Sequence, residues 1–537
     1  FRGTYDGGFH ELRNMYINNN KNDQGLFSCV GGGARIKNLG VTDVYIKQPS
    51  NSAATLVGCF AVDESDIVIS QCWTSGYMEC QTACAIVGTP YISRGVTLLN
   101  CQSSVSLENS KTEHAGMPRD AGITSDRHLT GNYLFTGTMA EKHDKYSGFS
   151  VALPCHGYST NINTYYDTDV YPHYGTADLG RPTAYLQSKD FVNVLNSFVY
   201  EWNTTHDEKL DYWKHSEGKY PQVDPTYQPP YLVTFETNGG SNINPMPVDV
   251  DTHIFAPQEP KKDGYIFAGW YADAAFKQVF VFDSILIKGN TTIYAKWLTP
   301  TMDTYDVTPF QNEFAKEFHI KNKAQLIGFM YAVNGIDGVL TANSFEGKTV
   351  YLDCDILLND TADWKYWGTL VRAETWTPIG KSYAPFLGTF DGQGHKIIGM
   401  YIESPIGNYN EVSSELYHNR GLFGWVGTES KEGHIRNLGI QASTFDFRKH
   451  MATGSNIGLL VGTLRNGTIS QCFTQGKIVG DNVYYAIGGL VGQFGDYSKK
   501  VGTISDCYAC VDIVSTSQGL LGGVIGRNER TVLNNSF

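Results

Sequence analysis

Phe386-Leu-Gly-Thr-Phe-Asp-Gly-Gln-Gly-His395 is followed by Gly421-Leu-Phe and then by Ile435-Arg-Asn-Leu-Gly439. The same order stands near the start: Phe1-Arg-Gly-Thr-Tyr-Asp-Gly-Gly-Phe-His10, then Gly25-Leu-Phe, then Ile36-Lys-Asn-Leu-Gly40. Both copies run on into short units in which Leu-Val-Gly precedes Ile-Ser-Gln-Cys-aromatic. These are Leu56-Val-Gly58 with Ile69-Ser-Gln-Cys-Trp73, and Leu460-Val-Gly462 with Ile469-Ser-Gln-Cys-Phe473. Repetition on this scale marks an array in which each unit buries its apolar face on its neighbours. Cys472 and Cys507 are 35 residues apart, and Cys72 and Cys101 are 29 apart. Those periods also suit helical repeats, but abundant Gly and β-branched residues favour strands. The expected class is all-β: two parallel, right-handed β-solenoid arrays whose coils stack at about 4.8 Å, with helical caps.

Cysteine positions support the same reading. Cys72, Cys101, Cys472 and Cys507 share one slot of the repeat, and Ser536 takes it in Asn534-Asn-Ser-Phe537. Trp73, Phe473 and Tyr508 fill the next position. A small residue recurring in an inward slot suits a stacked core, where a free thiol acts as a small hydrophobe. A structural ladder of buried thiols is therefore expected. The close pairs Cys80/Cys84 and Cys507/Cys510 have no second pair or His at zinc spacing.

Between the repeats lie three other signals. Phe191, Val194, Leu195 and Phe198 form an amphipathic stripe with Ser188 as N-cap, predicting a C-terminal cap helix near 188–198. Four prolines between Pro221 and Pro230 read as a semi-rigid linker. A strand-rich block then runs from Tyr231 to Trp297, with an Asn238-Gly239 turn. A second helix is expected near 324–333, before the second array. Polar stretches at Asn109 to His128 and Met139 to Ser147 read as loops. The expected domains are 1–227, 228–300 and 301–537.

These elements resemble GLUG-motif proteins, a group of bacterial secreted and surface proteins. The resemblance rests on Gly421-Leu-Phe-Gly, Ile435-Arg-Asn-Leu-Gly439, Gly489-Leu-Val-Gly492 and Ile504-Ser-Asp-Cys-Tyr508. The block at 231–297 resembles the internalin B-type repeat, a β-grasp-like module, through Gly264-Tyr-Ile-Phe-Ala-Gly-Trp-Tyr271 and Tyr294-Ala-Lys-Trp297. The resemblances imply an extracellular or bacterial cell-surface location and no particular activity.

Composition agrees. The chain has 537 residues, enough for several domains, and carries 41 basic against 54 acidic residues without long runs. The resulting net charge of −13 offers no basic footprint for nucleic acid. No apolar stretch approaches the ~20 residues of a membrane span. Residue 1 opens inside one repeat unit and Phe537 closes inside another, so the chain reads as truncated at both ends.

Catalytic motifs are sparse. His10-Glu11 lacks the second His of a zincin helix, and neither a Gly-x-Ser-x-Gly elbow nor a Walker loop is present. Asp6/His10 and Asp391/His395 recur identically, which suits a structural corner built on Asp-Gly turn chemistry. The alternative is a carbohydrate-active β-helix enzyme, which needs carboxylates clustered on adjacent coils. Its candidates are Asp63, Glu64 and Asp66, and Asp353 with Asp355, with Trp364, Tyr366 and Trp367 as sugar-stacking rings or as packing of the cap. GLUG arrays also serve as accessory regions of large surface proteases, so that role is a further alternative. The expected function is a non-catalytic stalk, adhesin or ligand-presenting scaffold without catalytic residue, cofactor or metal. Its expected partners are host glycans or surface proteins, and a second copy joined head to tail.

Overall fold

A computed structural model describes residues 1–19, 21–60, 66–88, 96–109, 128–137, 139–140, 159–170, 180–301, 304–403, 419–447, 456–480, 486–495, 502–515, 519–529 and 532–537. Asp63, Glu64 and nearly all of the two expected polar loops lie outside those residues, as does the side chain of Cys84. The chain forms two compact units. One comprises 1–235 with 243–258 and 281–292; the other comprises 236–242, 259–280 and 293–537.

The fold is a parallel β-solenoid with few helices. In the first unit, a ten-stranded sheet is built from parallel pairs, and one inward position runs Ile36, Ile69, Leu98 from coil to coil. Val41, Thr74, Ser103, Phe135 and Tyr166 form a second such row. A short second sheet pairs Phe27–Val30 with Val57–Phe60, stacking Cys29 on Cys59.

The second unit repeats the pattern with more regular coils. Phe318, Val350, Phe390, Ile435, Ile469, Ile504 and Leu533 occupy equivalent positions of a seven-stranded sheet. Phe423, Val461, Val491 and Ile525 do so in a four-stranded one. β-Branched and aromatic side chains suit these rows because each lies directly over its like in the next coil. Of the seven, all but Leu533 are buried.

Among the described residues three α-helices accompany the strands: α1 (Thr183–Leu186), α2 (Lys189–Thr205) and α3 (Lys323–Asn334). The Ser188 side chain caps α2 by accepting from the Phe191 N–H. Its buried face is Phe191, Val192, Leu195, Phe198 and Val199, so Val192 and Val199 replace Val194 of the sequence reading. The rotation brings Asn193 onto Thr252 and Asn196 onto the Trp213 backbone. The helix packs with Leu99 and Leu134 of the coils and with Trp213. Asn322 caps α3, whose Leu326, Phe329 and Met330 enter the same core as Phe345, Phe386 and Phe390.

The block at 231–298 contributes to both units. In the first, Tyr231 to Val233 run antiparallel to Met246–Val248. In the second, Ile266–Tyr271 run antiparallel to Tyr294 to Leu298. Asn238 and Gly239 both have positive φ (49° and 84°), and the Gly240 N–H donates to Thr237 O. That is the primed turn an Asn-Gly pair favours.

Candidate corner grooves and the comparisons

In each unit five successive coils turn a corner at a residue in the left-handed region. In the first unit these are Asn38, Gln71, Asn100, Asn132 and Asn163, with φ of 56°, 54°, 55°, 52° and 51°. In the second they are Gln393, Asn437, Gln471, Asp506 and Asn535, with φ of 51°, 53°, 52°, 54° and 44°. Asn and Asp tolerate this backbone because short polar side chains bond locally. The side chains also link coils. Gln71 Nε2 donates to Asn38 Oδ1 (2.6 Å), Asn132 Nδ2 to Asn100 Oδ1 (3.0 Å), and Asn163 Nδ2 to Asn132 Oδ1 (3.3 Å). Asn535 Nδ2 donates to Asp506 Oδ1 at 3.2 Å.

The residue after the corner turns inward, and there Cys72, Cys101, Cys472 and Cys507 sit, all buried. Each thiol donates to the carbonyl two residues earlier, at 3.3, 3.1, 3.2 and 3.1 Å respectively. Cys101 Sγ also accepts the Cys72 N–H, and Cys507 Sγ the Cys472 N–H, both at 3.4 Å. Ser536 Oγ does the same for the Cys507 N–H (3.2 Å). The slot therefore takes Cys or Ser because the corner leaves an amide N–H that the next coil's side chain must satisfy. Burial pushes the Cys72 and Cys472 thiols well up, so they stay protonated. Cys101→Ala should destabilise by about 1–3 kcal/mol, because it strands the Cys72 N–H, whereas Cys101→Ser should cost less. Urea unfolding midpoints of the two variants check this.

One residue further, the side chain points out. Phe473 stacks on Tyr508 (5.2 Å, 6°) and Tyr508 on Phe537 (6.1 Å, 19°). In the first unit Phe9 stacks on Trp73 (6.3 Å). Farther along the same strands, Tyr16, Tyr45 and Tyr77 stack at 5.6 and 5.7 Å. Tyr16 and Tyr45 are exposed.

Corner and rings border a groove in each unit. The first unit's groove holds about 310 Å³ between Phe9, Gln71, Trp73, Gln102 and the hairpin residues Lys214 and Asp224. Its Glu11 accepts from the Trp73 indole (3.1 Å) and from Arg13, which together hold its carboxyl below the usual range. The second unit's groove holds about 520 Å³ and is lined by Asp391, Gln393, Asn437, Gln471 and Phe473.

Asp6 and Asp391, on neighbouring strands, accept from the corner residues. Asp6 Oδ1 accepts from the Gly8 N–H and Asn38 Nδ2, both at 3.0 Å. Asp391 Oδ1 accepts from the Gln393 N–H and Asn437 Nδ2, both at 2.9 Å, and Oδ2 from Arg436 at 2.8 Å. Burial pushes the Asp391 carboxyl up, but Asn437, the Gln393 amide and Arg436 outweigh it and hold it below the ordinary 3.8. A depressed folded value gives stability that is present above the unfolded value and lost as pH falls through the folded one. Asp391→Asn should therefore flatten the loss of stability below about pH 4, read by circular dichroism during acid titration.

His395 Nδ1 faces Asp355 (3.2 Å), and Asp353 faces His319 (2.9 Å) and Gln393 (2.9 Å). Asp66 pairs with Arg35. Trp367 is buried beside Tyr271 and Tyr401, and Trp364 and Tyr366 pack against the same cluster. Cys80 is buried; Cys507 is buried and Cys510 exposed. Among the described residues no group of three His, Cys, Asp or Glu side chains is placed to hold a metal ion. No described helix is long and apolar enough to cross a membrane. The left-handed corner was missed in the sequence. Its only signal was the Asn, Gln or Asp before each Cys-aromatic or Leu-Gly pair.

Parallel coils joined by repeated corner side chains define a solenoid repeat protein. Comparison with known proteins adds a match to the Listeria-Bacteroides repeat domain over residues 231–296. Two proteins of Evansella cellulosilytica, provisionally named a membrane protein and a Gly-rich membrane protein, are 34% and 30% identical over 84 and 102 residues. These matches cover 16% and 18% of this chain and 12% of each relative. Halomucin of Haloquadratum walsbyi is 32% identical over 356 residues, 59% of this chain but 3% of its own length. The repeat domain and the solenoid together fit a bacterial surface repeat protein.

Proposed function

We propose that this chain is a non-catalytic segment of a bacterial cell-surface or secreted protein, a stalk that presents or binds ligands adhesively. In this reading residues 1–227 and 301–537 are two GLUG-type arrays, and 228–300 an internalin B-type, β-grasp-like module between them. The observation that carries the proposal is the corner: its Asn, Gln, Asp and Cys side chains are bonded to neighbouring coils in both units. Polar groups so engaged hold a scaffold together. The ring stack Tyr16, Tyr45 and Tyr77, exposed at Tyr16 and Tyr45, supports ligand presentation, since a flat aromatic row suits the apolar face of a sugar or a protein loop. A glycan and host-protein binding array on the intact chain tests this. Binding that falls on Tyr45→Ala supports it; an array without a hit, or hits indifferent to Tyr45→Ala, counts against it.

A further inference from the structure

The corner ladders of the two units match position for position. Asn38, Gln71 and Asn100 of the first correspond to Asn437, Gln471 and Asp506 of the second. In the first unit the ladder is covered by polypeptide. The Asp211 N–H donates to Gln71 Oε1, and Asp211 Oδ2 accepts from Gln71 Nε2 at 3.2 Å. Asn100 Nδ2 donates to Asp211 O at 2.9 Å, and the Trp213 indole N–H donates to Asn100 Oδ1. Asp211 and Trp213 stand two residues apart in an extended strap, a span of roughly 6.5 Å that reaches two successive coils. Gln71 and Asn100 are 4% and 1% exposed as a result. Among the described residues of the second unit Gln471 and Asp506 are exposed, and Gln471 lines the wider groove beside Phe473.

We infer that the open corner of the second unit docks an extended polypeptide strap. The strap sets a backbone N–H and a carboxylate against Gln471 and an N–H-donating side chain, Trp, Arg or Lys, against Asp506. Gln471 keeps both the donor and the acceptor that Gln71 uses. Asp506 differs in one respect: where the Asn100 amide donates to a strap carbonyl, a carboxylate only accepts. The partner is thereby distinguished from the strap of the first unit, whose own ladder needs a carbonyl at that point. This inference stands on the internal comparison and does not depend on a surface location.

The probe is a labelled synthetic peptide of residues 206–225, titrated into the full chain by fluorescence anisotropy. Saturable binding of one peptide per chain is expected, because the chain's own strap already fills the first corner. Gln471→Ala should weaken it about tenfold, since two hydrogen bonds are lost. Asp506→Asn restores the Asn100 pattern and should tighten binding of this peptide at least about threefold. Circular dichroism confirms that both variants fold. Lack of saturation up to about 1 mM peptide overturns the inference, as does affinity unchanged in both variants. Displacement of the peptide by cellohexaose with the same Gln471 dependence would also overturn it, assigning the groove to a glycan.

Discussion

Gly467→Val is expected to destabilise the second unit by about 2–6 kcal/mol, from backbone strain and overpacking together. Gly467 has φ of 130°, a region that L side chains rarely adopt, and it pairs with Gly433 across parallel strands. A Cβ there would lie 1.8 Å from the Gly433 carbonyl oxygen. The obstacle is backbone, so it cannot rotate away. A Cβ on Gly502 of the next coil would in turn lie 2.7 Å from the Gly467 oxygen. Adjacent coils stabilise each other through such interfaces, so one wedge weakens the pairing on both sides. Urea unfolding should show a large fall in midpoint, with early loss of amide protection at Ile435 and Ile469. Gly523→Ala is the control: its Cβ meets nothing within 4 Å, and its effect should stay within about 0.5 kcal/mol. Equal effects of the two substitutions would contradict the coil register described above.

The second large effect is expected at Phe345. This ring is fully buried among Phe310, Phe318 and Phe329, with centroids at 6.1, 5.3 and 5.1 Å and all three pairs edge to face. It joins α3 to the first strands of the second unit. Phe345→Ala should cost about 3–5 kcal/mol, the range for removing a buried aromatic side chain. Phe345 also holds a positive φ of 58°, stabilised by its N–H donating to Asn343 Oδ1. Phe345→Leu keeps most of the apolar volume and should cost markedly less. Thermal unfolding of the pair checks the difference; a loss from Leu as large as from Ala would place the stabilisation in the turn rather than in the ring.

Much of this architecture was readable from residue order. Ile435-Arg-Asn-Leu-Gly439 and Ile469-Ser-Gln-Cys-Phe473 align in sequence as they do in register, because each coil repeats the same inward row. The slot shared by Cys72, Cys101, Cys472 and Cys507 was visible for the same reason. What those thiols do was not: the sequence suggests a small hydrophobe, while the corner geometry makes Cys101 and Cys507 acceptors for the N–H groups of Cys72 and Cys472. The left-handed corner itself was hidden because Gln71 and Gln471 do not favour that backbone; Gln71 is held there by its bonds to Asn38 and Asp211. Contacts such as Gln71 with Asp211, 140 residues apart, lie beyond any periodicity. Trp364, Tyr366 and Trp367 show the converse limit, since a cluster of rings looks alike in sequence whether it stacks on sugar or on Tyr271.

The central claim is that the chain holds and presents rather than reacts. The most direct measurement incubates the intact chain with each glycan or protein that scores on the array and follows the ligand's mass over hours. The account predicts that every bound ligand is recovered intact, at the same rate as in buffer. Time-dependent cleavage that disappears in Asp391→Asn or in Asp353→Asn would contradict it and make the corner groove an active site.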